Sequence, residues 1–209
     1  MDAWRGGAET STLQFVHELM DRGVELHLFT RSRLSPTPGL HVHSLNGGPL
    51  GRARQSIVFT QKVEEVLSRH VFDVVHAISP CRCATVYQPR GGTVVEALER
   101  NLALRSSAAA RGLKRLSSRL NLRQRYVLRL ERDLLGRADG PLVVAISDYV
   151  VEQLRRHYGL PDSRIRKIVN AVNPDSDTAD VRDAHRRGVR NDFGVGKDEV
   201  LVLSVAHNF

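Results

Sequence analysis

Residues 6–30 read GGAETSTLQFVHELMDRGVELHLFT, and the order of signals in this stretch decides the fold class. A Gly-Gly turn at Gly6–Gly7 opens it. Leu13, Val16, Leu19 and Met20 then recur at a spacing that lays them close to one face of a helix. Asp21–Arg22–Gly23 stops that helix, because Gly23 can take the left-handed backbone that ends many helices. Val24 to Thr30 alternates apolar and polar residues, as a strand does. Turn, helix and strand in this order are two-thirds of a βαβ unit, whose first strand is expected ahead of Gly6. At the far end Glu199 to Ala206, EVLVLSVA, reads as a strand of the buried type that has neighbours on both sides. The chain is therefore expected to be a fragment, truncated at both ends.

The middle repeats the pattern. Strands are expected at Leu40–Leu45, Phe72–Ile78, Thr85–Tyr87, Leu142–Ile146 and Ile165–Val169. Helices are expected at Arg54–Arg69, Val94–Leu135 with a break near Gly112, Asp148–Tyr158 and Asp180–Phe193. Ser147 is placed to cap the Asp148 helix and Gly159 to stop it. Strands alternating with helices give an α/β fold with a Rossmann-like, mainly parallel sheet. Three segments follow: residues 1–175 as that domain without its first strand, 176–198 as a linker with a helix, and 199–209 as the first strand of a second domain.

Composition narrows the function. The chain has 209 residues, 41% hydrophobic and 26% charged, enough for a sizeable core. Aromatic residues are only 5%, which argues against a binder that stacks on bases. Two cysteines exclude a disulfide scaffold. The net charge of +8 points to an anionic partner. No stretch approaches the ~20 apolar residues of a membrane span, and Met1–Gly7 is too short and polar for a signal peptide. A cytoplasmic protein is expected, able to touch the inner face of the cytoplasmic membrane.

Dispersed motifs add a resemblance. Gly6–Gly7–Ala8–Glu9 opens a helix that ends in Arg22–Gly23–Val24–Glu25–Leu26. Phe72–Asp73–Val74–Val75–His76, Val144–Ala145–Ile146–Ser147 and Ile168–Val169–Asn170–Ala171–Val172–Asn173 follow in order. Together these resemble the N-terminal domain of a family 4 retaining glycosyltransferase with the GT-B fold. Tyr87–Gln88–Pro89–Arg90–Gly91–Gly92 before a long basic helix, and the 203–209 end, resemble the lipopolysaccharide core glucosyltransferase I group within it. The resemblance implies transfer of a hexose, with retention, from a UDP-linked sugar nucleotide to a glycan or glycolipid in cell-envelope biosynthesis. It implies that this chain is the acceptor half and that the second domain grips the nucleotide. No cofactor beyond the donor substrate is implied, no metal, and no activity for this fragment alone. Two alternatives stand beside it: a non-enzymatic basic module binding anionic membrane or nucleic acid, and another GT-B enzyme such as a sugar-nucleotide epimerase.

Candidate site residues come from both arguments. Gly6 and Gly7 permit close backbone approach, and a helix start offers free N–H groups to phosphate; a plain tight turn uses the same residues. The resemblance turns that loop toward the donor diphosphate and acceptor, and gives Glu9 a part in orienting the acceptor. Gln88 and Arg90 follow a strand end, where open α/β sheets bind ligands, and can bond sugar hydroxyls or anionic groups. Gly91 and Gly92 can present amides, although an ordinary loop and helix start fits them too. Many relatives carry a histidine or aspartate where Gln88 stands, so the departing diphosphate is the expected proton acceptor, and no catalytic side chain is assigned. Cys81 and Cys83 lack a second ligand pair for zinc. His76 ends a buried-type strand, where it either reaches the cleft or, the plainer reading, packs as a core histidine; His207 lies in the region that resembles the start of a donor-side loop.

The loudest charge feature is Arg100–Arg137, with eleven basic residues against Glu131 and Asp133. Leu113, Leu116, Leu120, Tyr126, Val127 and Leu130 interleave with them. A basic amphipathic helix reads as a membrane-surface element, with Lys114, Arg115 and Arg119 the expected contacts. A solvated arginine-rich helix is the plain alternative. Nucleic acid is not expected, since no nucleic-acid motif accompanies the charge.

Overall fold

The helix announced by Leu13 and Val16 runs Gly7–Asp21 (α1), with Val16 buried. It ends at Gly23, whose φ of 74° is the left-handed value a side chain would resist. A computed structural model describes residues 7–31, 37–45, 51–170 and 178–202, and it falls into two units, Met1–Val169 and Asn170–Phe209. In the first unit α1 leads to β1 (Leu26–Thr30), β2 (Leu40–Ser44), α2 (Arg52–Arg69), β3 (His76–Ala77) and β4 (Val86–Tyr87). Then come α3 (Val94–Ala103), α4 (Ala108–Leu120), α5 (Leu122–Gly136), β5 (Leu142–Ala145), α6 (Asp148–Tyr158), a short 3-10 turn and β6 (Ile165–Lys167).

Every ladder among the described residues is parallel, as the alternation of strands and helices requires. They form two sheets, β1–β2 and β3–β4–β5–β6. The first is registered from Leu26 against Leu40 to Thr30 against Ser44. Phe72, just before β3, meets the rings of His27 and Phe29 edge-on, so β1 lies beside the entry to β3. The core gathers around β5: Val143 and Ala145 pack with Leu134 and Leu135 of α5, Val150 and Leu154 of α6, Tyr87, Leu160 and Ile165. Each fully buried leucine there contributes about 1.5–3 kcal/mol of transfer free energy.

Several expectations are corrected. The strand expected over Phe72–Ile78 shrinks to His76–Ala77. Val75 gives its N–H to the Thr85 hydroxyl at 2.9 Å, which takes the donor a longer ladder would need. The long helix expected over Val94–Leu135 is three helices, and Gly112 lies inside α4 instead of at a break. Caps decide the breaks: Ser107 accepts from Ala110 N–H and Asn121 from Gln124 N–H, each restarting a helix. The strand over Ile165–Val169 stops at Lys167. The Asp148–Tyr158 helix matches in full, with Ser147 capping Val150 N–H and Gly159 at φ 59°.

The second unit holds α7 (Ala179–Asp192), one residue earlier at each end than expected. Its Arg190 is buried and donates to the carbonyls of Gly196 and Glu199, tying the turn after the helix. Residues 199–202 carry no strand, and 203–209, including His207, lie outside the described residues.

Candidate functional site

Three sequence-distant pieces meet at the carboxyl ends of β3 and β4. The loop Gln88–Gly92 leaves β4, anchored by Gln88 N–H to Ala77 C=O at 2.8 Å. From it the Arg90 guanidinium reaches α1 and donates to the Thr12 hydroxyl at 2.6 Å. His76 closes the group: Gln88 hydrogen-bonds its ring, and Phe15 of α1 packs edge-on at a ring separation of 5.1 Å. The structure therefore brings the N-terminal half of α1 and the Gln88–Gly92 loop to one edge. Gly7 begins α1. Gly6 and the Glu9 side chain lie outside what is described.

Of its two readings, His76 takes the one that reaches the strand-end group and not the plainer one of a core histidine. It is exposed at the start of the two-residue β3 and faces Gln88 and Arg90, not the core. Partial desolvation, and then the Arg90 charge, lower its pKa from 6.5, against the Gln88 hydrogen bond that raises it. A neutral imidazole at neutral pH follows, able to accept or donate. Arg90 loses some affinity for its proton through desolvation, yet a guanidinium stays charged.

The two glycines differ in use. Gly91 is exposed, with open space where a Cβ would project. Gly92 spends its N–H on Pro89 C=O at 3.1 Å and sits at φ 79°. The start of α3 is likewise occupied. Thr93 N–H donates to Gln153 Oε1 at 2.8 Å, and Val94 N–H to Glu131 Oε2 at 2.8 Å. These amides already hold acceptors, so what this loop offers a ligand is Gly91 and the Gln88 and Arg90 side chains.

Gly92→Ala is expected to cost about 2–4 kcal/mol, from left-handed strain and from a Cβ that would stand 2.6 Å from Gln153 Oε1. Urea denaturation checks it; a cost under about 0.5 kcal/mol shows that the turn rebuilds freely.

Glu131, invisible as a site residue in sequence, supports the loop from below. It is fully buried and accepts from Tyr87 Oη at 2.8 Å and Tyr158 Oη at 2.5 Å as well as from Val94. Burial raises its pKa despite those donors. Glu96, one turn into α3, is also buried but faces Arg100, Arg156, His157 and Tyr149. The His157, Tyr149 and Arg100 hydrogen bonds bring its pKa down to about 2. Cys81 is a buried free thiol pushed up to about 11 by desolvation, and Cys83 is exposed.

The basic segment is divided in use: its α5 part carries Glu131 beneath this loop, and its α4 part is exposed. Leu113, Leu116 and Leu120 of α4 are 71%, 55% and 72% exposed, so the stripe is uncovered. Lys114 is half-buried and Arg115 exposed; the Arg119 side chain lies outside what is described. No described helix is long and apolar enough to cross a membrane.

A parallel α/β domain with polar side chains converging at its strand ends is a form that binds ligands there, and the chain belongs to glycosyltransferase family 4, whose model matches residues 5–176. Among solved structures it is similar to WaaG, described as a glycosyltransferase involved in lipopolysaccharide biosynthesis, with a TM-score of 0.71 at 15% identity. That match covers 93% of this chain and 50% of WaaG, so the chain spans about half the length of this neighbour. The likeness carries the fold, the GT-B architecture expected from the sequence. No curated protein sequence matches the chain.

Proposed function

We propose that the protein containing this chain transfers a hexose from a UDP-linked sugar to a glycan or glycolipid hydroxyl, with retention, in lipopolysaccharide or cell-envelope biosynthesis. This chain supplies the acceptor wall of the cleft. The observation that carries the reading is the Arg90 bridge to Thr12, which gathers His76, Gln88 and α1 at the strand ends where such sheets bind ligands. Arg90 holds an anionic or hydroxyl-rich acceptor by charge-assisted hydrogen bonds. His76, held neutral, offers a ring nitrogen to the acceptor hydroxyl, and Gln88 fixes the ring. The catalytic gain is alignment of that hydroxyl and electrostatic support of the departing diphosphate, which takes the proton. The basic, leucine-striped α4 supports the further reading that the protein works at the anionic inner face of the cytoplasmic membrane, on a glycolipid acceptor. The non-enzymatic basic module is the weaker reading, because it leaves the His76–Gln88–Arg90 group without a task.

The test is Arg90→Ala in the whole protein. Losing one charged hydrogen-bonding group costs about 1.5–3 kcal/mol, so kcat/KM for the acceptor should fall about 10–100-fold. The donor KM should stay within about twofold, and circular dichroism should be unchanged. Acceptor kinetics that match wild type remove the acceptor-wall reading. A whole protein that neither transfers nor hydrolyses UDP-sugars favours the binding module.

A further inference from the structure

The β1–β2 ladder carries a chemistry the transferase reading leaves unused. Parallel register sets His27 against His41 and Phe29 against His43, so these four rings share one face of the ladder. Glu25, two residues before His27, adds a carboxylate on that side. The Glu25 Oε1 atom lies 3.3 Å from His27 Nε2 and 3.8 Å from His41 Nε2. One ligand atom from each of the three falls within 4.8 Å of the others. His27 Nδ1 meets His43 Nε2 at 2.9 Å.

We infer that Glu25, His27 and His41 form a binding site for a divalent transition-metal ion of the zinc type, with His43 as a positioning residue. Two imidazoles and a carboxylate suit such an ion, whereas Mg2+ and Ca2+ prefer oxygen cages. Tetrahedral zinc, with bonds of about 2.0–2.1 Å to nitrogen and oxygen, sets its ligand atoms ~3.3 Å apart. The Glu25–His27 pair already meets that spacing, and His41 needs to close on Glu25 by about half an ångström, from a nitrogen that lies within 4.8 Å of the His27 ligand atom. The His27 and His41 rings stack at 4.6 Å, so the His41 ring must rotate to aim its lone pair at the ion. Its side chain is 57% exposed and has room to do so. A fourth position stays open to solvent. With His27 Nε2 on the ion, its Nδ1 carries the proton and donates to His43, the outer contact that fixes a metal-binding imidazole.

A second cluster of similar make-up, Glu96, Glu99 and His157, is not an equal candidate. Glu96 already pairs with the Arg100 and Arg156 guanidiniums, and a dication would add charge beside two cations. On β1–β2 no arginine or lysine contact to Glu25 stands in the way among the described residues.

The experiment titrates the untagged chain with Zn2+ against a chromophoric chelator. Expected is saturable uptake of one ion per chain, a Zn2+-dependent rise in Tm, and tetrahedral-intensity d–d absorption with Co2+. His27→Ala and His41→Ala should each abolish all three signals. His43→Ala should weaken affinity about 10–100-fold while keeping the stoichiometry. His185→Ala, on α7, should change nothing. His41 is exposed enough that its variant should keep the metal-free Tm, which separates lost ligation from lost folding. No saturable uptake by the wild-type chain overturns the proposal, and so does uptake that survives the His27→Ala/His41→Ala double variant.

Discussion

Replacing Glu131 by alanine is expected to cost about 4 kcal/mol and to lower Tm by about 8–16 °C. Three donors lose their acceptor at once: Tyr87 Oη, Tyr158 Oη and Val94 N–H. An unsatisfied buried donor costs about 1–3 kcal/mol, and Tyr87 is 2% exposed, so water cannot replace the carboxylate there. Burial pushes both phenols' pKa values up, with the Glu131 charge the second cause, so they remain donors throughout the accessible pH range. The carboxylate also sits at the α3 N-terminus, where negative charge is favoured. Glu131→Gln keeps one acceptor and should lose less. Thermal and urea unfolding of both variants check this; a loss below about 1 kcal/mol for Glu131→Ala shows that the tyrosines find other partners.

The pH dependence has a definite sign. Glu131 has its folded pKa raised above the ordinary 4.5, so the folded state binds its proton more tightly than the unfolded state. Its contribution is full below 4.5 and is lost as pH rises through the folded value. Glu96 runs the other way: with a folded pKa of about 2, its contribution is full above the ordinary 4.5 and fades as pH falls toward 2. The wild-type minus Glu131→Gln difference in stability should therefore shrink from pH 4 upward, while wild-type minus Glu96→Gln should grow over the same rise.

Local signals made the fold legible. Helix stops at Gly23 and Gly159 and the Ser147 cap act within a few residues, and the structure has them where the sequence places them. The parallel class follows from alternation alone, and every described ladder agrees. What the sequence hid is set by partners far along the chain. The start of β3 depends on a Thr85 hydroxyl ten residues after Val75. The breaks in the long basic segment depend on which polar residue wins as a cap, and Ser107 and Asn121 prevail over the more conspicuous Gly112. His76 reads most plainly as core because its neighbours in Phe72–Ile78 are apolar; only the proximity of Phe15, Gln88 and Arg90 shows that it faces the strand-end group. Gln88 and Arg90 were legible from their place after a strand, and the structure joins them to α1. Glu131 gave one signal, an acid among arginines and leucines, which reads as a surface charge until Tyr87 and Tyr158 are seen to converge on it.

Charge reversal at Lys114, Arg115 and Arg119 should weaken binding to anionic vesicles by at least about 100-fold at low salt. Each basic residue near an anionic leaflet is worth ~1 kcal/mol. Reversing three removes three attractions and adds three repulsions, a change of about 3–6 kcal/mol, or roughly 10²–10⁴ in the binding constant. Geometry decides whether those charges can reach the surface. At 100° per residue, Leu113, Leu116 and Leu120 fall in a stripe about 60° wide, and their exposure shows that nothing in the first unit covers it. By the same step Arg119 lies about 90° from the centre of that stripe and Lys114 and Arg115 about 130° to either side of it, so their long stems must reach back along the helix to meet headgroups. Arginines elsewhere are differently engaged: Arg100 pairs with Glu96, Arg137 with Asp139, and Arg82 with Glu64 and Asp133. The exposed Arg123, Arg125, Arg129 and Arg132 of α5 add to the surface charge that α4 presents. Sedimentation with vesicles of neutral and anionic lipid, at several salt concentrations, separates the contributions. Electrostatic capture decays over a Debye length of about 8 Å at physiological salt, so wild-type binding should drop steeply as salt rises. A Leu113→Ser/Leu116→Ser/Leu120→Ser variant should retain the salt dependence but bind more weakly, since its apolar anchor is gone. Equal binding to neutral and anionic vesicles, indifferent to salt, would show that α4 does not act by charge and would return its arginines to the role of a solvated surface.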